Sequence, residues 1–219
     1  MLFSFFHLFL ATPFRSASKN TATISPPINV PEWVPMDFLK INDQSAVNML
    51  KSLQRAEVKL IDSFSVNTSF IFLPKIEEPE YPEPNIFIKS FKKFSSQFAK
   101  PSPIVLVHGF DSSCLEFRKI ASILRKYRDV YVIDVLGWGF GDHSTINEFG
   151  PDLKINHLAQ FLVQIVKSPC VLIGASLGGT LTISVATDFP SLVEKVVLID
   201  AQGFIDGQRE SKAPDVIAK

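Results

Sequence analysis

Scarcity bounds this chain before any motif does. Two cysteines, Cys114 and Cys170, among 219 residues cannot build a disulfide framework, and no Cys/His cluster stands at zinc-ligand spacing. Cys170 opens an apolar strand and Cys114 lies in a loop or first helical turn, so both are expected as buried or idle thiols. Neither sign of charge is in excess: 22 basic and 22 acidic residues cancel, which argues against nucleic acid or an anionic membrane as partner. Long apolar runs are missing too. The opening MLFSFFHLFLA stops near Ala11, short of the ~20 residues a membrane-spanning helix needs. Acidic residues are absent before Glu32, and no histidine follows His157.

The acid-free stretch has a composition of its own. Arg15 and Lys19 sit among Ser4, Ser16, Ser18, Thr21, Thr23 and Ser25, followed by Pro26, Pro27 and Pro31. That pattern resembles an organelle transit peptide, plastid before mitochondrion, with the apolar core of a secretory signal as the alternative. Residues 1–35 are therefore set apart from the fold as a targeting or disordered segment.

Hydrophobic content of 46% with 20% charged residues suits a globular domain with a real core. Asp37 to Arg55 carries a ragged apolar face that predicts a helix. KLIDSFSV and TSFIFL, within 59–73, predict two β pieces joined by a turn at Asn67. Residues 74–86 are rich in proline and glutamate and predict an exposed loop. NIFIKSFKKFSSQF then offers a strand edge or short helix packed on the core, with a basic membrane-surface segment as the alternative. These pieces form an N-terminal unit, 36–102.

From Pro103 the pattern becomes regular. Continuous apolar runs at 104–107, 130–134, 170–174 and 195–200 look like strands buried on both faces. Between them, 115–127, 157–166 and 177–189 have helical spacing. Alternation of this kind predicts an α/β fold with a mainly parallel sheet over 103–204.

In such sheets ligands collect at the carboxyl ends of strands, and the chemistry-bearing residues fall there. Strand 104–107 ends in His108-Gly109-Phe110-Asp111, strand 170–174 in Gly174-Ala175-Ser176-Leu177-Gly178-Gly179, and strand 195–200 in Asp200. Gly-x-Ser-x-Gly between strand and helix holds a serine in a strained turn, with small residues on either side. Gly179 is expected to let the helix approach the sheet. Ser176 is the candidate nucleophile. The N–H of Leu177 and, from the loop after 104–107, that of Phe110 are the candidate oxyanion donors. The Gly137-x-Gly139-x-Gly141 run departs from the dinucleotide fingerprint, its third glycine coming one residue early.

Four motifs, VLVHGFDSS, DVLGWGFGDHS, VLIGASLGG and VEKVVLIDAQGF, occur in the order and spacing of the α/β-hydrolase superfamily. Residues 104–204 resemble its cofactor-free serine branch. The resemblance implies Ser176 as nucleophile, the backbone amides of Phe110 and Leu177 as oxyanion hole, and neither cofactor nor metal. It implies a small-molecule acyl substrate: an ester, a thioester, or a carbon–carbon bond beside a carbonyl. The family continues into a cap and further strands bearing an acid and a histidine, whereas this chain ends near where the cap would begin, at 205–219. That departure predicts a C-terminally truncated and inactive form, at most a binding protein. Among the residues present, His108 is expected to brace its loop, His143 to contact surface or cap, and His157 to be a solvated helix cap. Asp200, an occasional source of the acid in the superfamily, has no histidine to orient.

Overall fold

A computed structural model describes residues 30–60, 64–76, 101–142, 144, 146 and 149–202. Four helices and six strands anchor the description. They are α1 (Gln44–Leu50), β1 (Leu53–Lys59), β2 (Ser65–Leu73), β3 (Ile104–Val107), α2 (Ile120–Leu124), β4 (Val130–Ile133), α3 (Pro151–Phe161), β5 (Cys170–Ala175), α4 (Leu177–Asp188) and β6 (Val193–Ile199). The strands form one sheet in the order β1-β2-β4-β3-β5-β6. The first two pairings, β1 with β2 and β2 with β4, are antiparallel. The other three are parallel. This is the α/β architecture expected from the alternating runs.

The central strands β3, β4 and β5 are buried on both faces, which explains why they carry no polar alternation. β6, expected to be buried likewise, is largely exposed, because among the described residues it lies at the end of the sheet order. Along β3, Val105 and Val107 join a core with Leu158, Phe161 and Leu162 from the α3 side and Leu181 and Val185 from α4. Ile104 and Leu106 point the other way, into a core with Leu50, Leu115, Phe117 and Ala121. β5 alternates likewise, with Leu172 on the first face and Val171 and Ile173 on the second.

Several local expectations are corrected. The helix foreseen over 37–55 is two short pieces, a 3-10 turn at Met36–Lys40 and α1, and the chain is already in β1 from Leu53. Asp43 starts α1 by accepting hydrogen bonds from the Ser45 and Ala46 amides, a capping arrangement that sets where the helix begins. Asn67 is no turn. It lies inside β2, paired with Glu57, because β1 rather than 59–66 is the partner of this strand. The helix expected at 115–127 is a 3-10 turn, Cys114–Phe117, followed by the short α2.

Pro151 opens α3 at the first helical position, where a missing N–H costs nothing. The helix therefore starts six residues before His157 and carries that histidine in its buried middle. His157 is thus not a solvated cap; its Nε2 lies 2.7 Å from Thr68 Oγ1. The C-terminal turn, Leu162–Val166, is π-helical and ends on Lys167 in the left-handed region. There the Gln164 side chain accepts from the Lys59 amide at 3.0 Å and donates to the Lys59 carbonyl at 2.7 Å, satisfying one position of the β1 edge. The Pro/Glu-rich stretch beyond Ile76, the segment NIFIKSFKKFSSQF, His143 and the N-terminal 29 residues lie outside the described residues.

Candidate functional site

The carboxyl edge of β3, β4, β5 and β6 gathers the unusual backbone of this protein. Asp111, Ser176 and Asp200 all have positive φ without being glycine, and each follows a parallel strand by a few residues. Ser176 sits at φ 49° and ψ −118° between β5 and α4. A side chain there costs of order 1–3 kcal/mol unless its surroundings enforce it. They do so through hydrogen bonds. The Ser176 amide donates to the Ile199 carbonyl at 3.0 Å, and its carbonyl accepts from Gly179 and from Gln202, both at 2.9 Å. Thr180 Oγ1 donates to the Gln202 carbonyl at 2.6 Å, fastening the loop after β6 to the first turn of α4.

The glycines of the elbow are required by close approach. A Cβ on Gly174 would lie 2.6 Å from both the Gly178 carbonyl carbon and Thr182 Oγ1. One on Gly178 would lie 2.5 Å from the His108 carbonyl oxygen and 2.7 Å from the Val107 carbonyl carbon, which is main chain of β3 and its exit. Contacts below 3.0 Å demand that something move, and backbone moves reluctantly. The expectation for Gly179 is refined: its missing Cβ makes room for Ala201 Cβ, at 2.5 Å, in the loop after β6. Gly178, not Gly179, brings the helix onto β3. Gly109 is the fourth close approach, its ideal Cβ falling 3.2 Å from Ser176 Cβ. The loop bearing Phe110 therefore passes directly against the nucleophile candidate.

Leu177 is the first residue of α4, so its N–H has no partner within the helix and the positive end of the helix lies beside Ser176. Phe110 follows Gly109 in a loop whose shape is fixed from two sides. The Gly109 amide donates to Glu116 Oε2 at 3.1 Å. Beneath the loop, His108 is wholly buried. Its Nε2 accepts from the Val135 amide at 2.9 Å, and an amide can only donate, so the ring proton is on Nδ1, which donates to the Gly109 carbonyl at 2.7 Å. Burial pushes the His108 pKa below its ordinary value. This neutral ring is a strut between the β3 and β4 loops and has no lone pair left for a serine proton.

Asp134, at the end of β4, organises the neighbouring loop, a role its place in the run VYVID does not reveal. Its carboxylate is buried and accepts from the Cys114 amide at 2.6 Å, from the Phe140 amide at 2.9 Å and from Ser69 Oγ. Three donors offset the desolvation of the charge. Gly139, at φ 70°, leaves room for that carboxylate, whose Oδ2 lies 2.5 Å from where its Cβ would be. The glycines of the 137–141 run thus shape a protein loop around Asp134. Arg55, from β1, donates to the Phe140 carbonyl through Nε at 2.9 Å and through Nη2, and lies 3.9 Å over the Trp33 ring. The Phe140 ring meets Phe38 at 4.6 Å.

Cys114 and Cys170 are free and buried, and burial raises the pKa of both, Cys170 to about 12. Neither is a thiolate at neutral pH. Burial lowers the Lys154 pKa as well. Among the described residues no group of three or more His, Cys, Asp or Glu is placed to hold a metal ion, and no helix is long and apolar enough to cross a membrane.

Comparison with known proteins gives a consistent lineage. Residues 102–215 match the family described as alpha/beta hydrolase fold. The alpha/beta hydrolase domain-containing protein VTE7 of Arabidopsis thaliana is 38% identical over 124 residues, covering 56% of this chain and 38% of that protein. The sn-1-specific diacylglycerol lipase ABHD11 of Danio rerio is 31% identical over 131 residues, covering 54% of this chain and 41% of that one. Among solved structures, a meta-cleavage product hydrolase of Pseudomonas fluorescens superposes with a TM-score of 0.50 at 19% identity, over 67% of this chain and 44% of that one; at that identity the likeness is one of fold. The chain spans about two fifths of the length of these curated relatives. Its sheet order, its glycine-bounded elbow and a family match over just more than half its length show that this chain belongs to the α/β hydrolase fold family.

Proposed function

We propose that this chain carries the nucleophile half of a serine hydrolase, with Ser176 as nucleophile and the amides of Phe110 and Leu177 as oxyanion donors. The observation that carries the reading is the strained backbone of Ser176 at φ 49°, held between the α4 N-terminus and the Gly109-Phe110 loop. Strain of this kind persists only when the fold enforces it, and it falls here on an exposed serine at the end of β5, which supports a nucleophile role.

The substrate is a carboxylic ester, a thioester, or a carbon–carbon bond beside a carbonyl. Ser176 Oγ attacks the carbonyl carbon and gives its proton to a general base, and the resulting oxyanion lies against the two amides. Collapse expels the alcohol, thiol or carbon leaving group with a proton, leaving an acyl-serine that water hydrolyses to the acid. The diacylglycerol lipase relative supports the ester class.

A second reading, binding without turnover, is favoured by one observation. Among the described residues both histidines are engaged: His108 by Gly109 and Val135, His157 by Thr68. Neither serves Ser176 as base. A fluorophosphonate probe decides between the readings, because serine attack on phosphorus with loss of fluoride leaves a stable adduct. Labelling that disappears in Ser176→Ala supports the hydrolase; an unlabelled protein supports binding alone. The composition before Glu32, together with a plant relative, supports an organelle address, plastid first. Import of the first 35 residues fused to a fluorescent reporter tests it.

A further inference from the structure

We infer that Lys154 is a positioning residue for the oxyanion loop, acting through Trp138 on Phe110; this rests on the reading of Phe110 as an oxyanion donor. Lys154 belongs to the first turns of α3, yet only 7% of its surface is exposed. Its Nζ donates to the Phe149 carbonyl and lies 4.8 Å from the centre of the Trp138 ring and 5.3 Å from that of Phe149. The Trp138 ring meets the Phe110 ring edge to face, with centroids 5.2 Å apart at 66°. One continuous line of contacts therefore runs from the start of α3, through the loop after β4, to the loop after β3.

The two ends of that line differ in how firmly they are held. Gly109 is fixed by Glu116 and by the His108 strut, whereas Phe110 is 70% exposed, and its edge-to-face contact with the indole restrains the direction of its ring. The ring hangs from the Phe110 Cα and its χ1 is confined to staggered wells, so a ring held against the indole restricts the backbone rotations that would turn the adjoining N–H. The indole needs a support of its own, because Trp138 stands between Gly137 and Gly139, both at positive φ, where the backbone is least self-restraining. An ammonium under its face attracts the ring electrostatically, and the hydrogen bond to Phe149 fixes where the ammonium sits. A methionine of similar volume supplies neither constraint. Gly137 completes the arrangement, since its missing side chain lets Phe149 close to 3.1 Å of the ideal Cβ position.

The test uses the purified protein labelled with 15N-phenylalanine, reading the Phe110 amide shift by NMR and the rate of fluorophosphonate labelling at Ser176. Lys154→Met is expected to move the Phe110 amide and to slow labelling about tenfold, short of the ~10²–10³ for loss of an oxyanion donor. Lys154→Arg, which keeps the cation, restores both readouts. Should Lys154→Met fold poorly, Trp138→Leu removes the intermediate link and has the same two effects. Combining it with Lys154→Met or Lys154→Arg then slows labelling no further, as two members of one path require. A Phe110 amide that stays in place, or a labelling rate that falls only as far as the folded fraction falls, overturns the inference. An unsubstituted protein that does not label at Ser176 refutes the hydrolase reading by itself. In that event the Phe110 amide alone decides whether Lys154 controls this loop.

Discussion

β5 and β6 are neighbouring parallel strands with nearly the same vocabulary, CVLIGA and VEKVVLI, and they live in different environments. Every residue of β5 is buried. In β6, Val196, Val197, Leu198 and Ile199 are 38–45% exposed, and among the described residues no strand lies on its outer side. The difference is positional. β5 has β3 on one flank, β6 on the other, and helices over both faces; among the described residues β6 is the edge. Apolar composition therefore reports that a strand suits a buried sheet, while its neighbours decide how much water it loses. β5 is also the strand that ends in the strained serine, a rigid support that fits the nucleophile role proposed for Ser176.

The sharpest way to break that contrast is to overfill the β5 exit. Gly178→Ala forces a methyl into the main chain at Val107 and His108, and a loss above about 3 kcal/mol is expected, since backbone rather than a flexible side chain must yield. Urea unfolding measures it. Truncation compares the strands directly. Leu172→Ala, wholly buried, is expected to cost about 3 kcal/mol, and Leu198→Ala, 45% exposed, less than about 1 kcal/mol. Equal losses would mean that β6 is covered in solution.

Ser176→Gly is expected to act in the opposite direction, raising stability by about 1 kcal/mol through relief of the φ 49° conformation while abolishing probe labelling. A loss of stability would show that the serine side chain makes a compensating contact. The smallest effect belongs to His108. Its pKa in the fold lies below the 6.5 of the unfolded chain because of burial, so the unfolded state takes up the proton first as pH falls. The stability due to the neutral strut is complete above about pH 6.5 and declines as pH drops below it. Urea midpoints between pH 8 and 5 should show that slope, flattened in His108→Gln. The Asp43 carboxyl, held down to about 2 by its hydrogen bond to Arg118, titrates below this window. It adds stability above its ordinary 3.8 that is lost as pH falls through about 2.

Legibility in the sequence followed how local each cause was. β3, β4 and β5 were visible because double-sided burial demands unbroken apolar runs, and β6 because it carries a run of the same kind although its residues are largely exposed among the described residues. β1 was not: LQRAEVK buries only Leu53 and Val58, and its glutamine, arginine, alanine and glutamate suit a helix as well. Pairing with β2 over seven positions overrides that preference. The buried setting of His157 was missed because the start of α3 depends on Pro151, six residues earlier. Nothing near Trp138 or Lys154 in the sequence joins them to Phe110, because their contacts pass between the loops after β4 and β3.

The sequence by itself determined the elbow. Gly-x-Ser-x-Gly states a steric requirement confined to five consecutive residues, so Ser176 at a strand-to-helix turn could be read without a fold. Tertiary structure alone decided the rest: which glycine meets β3, which nitrogen of His108 carries its proton, and which cation lies under Trp138. It decided, too, that among the described residues β6 is exposed while β5 is buried. Each of these depends on atoms brought together from distant positions, and only the assembled sheet with its loops sets those distances.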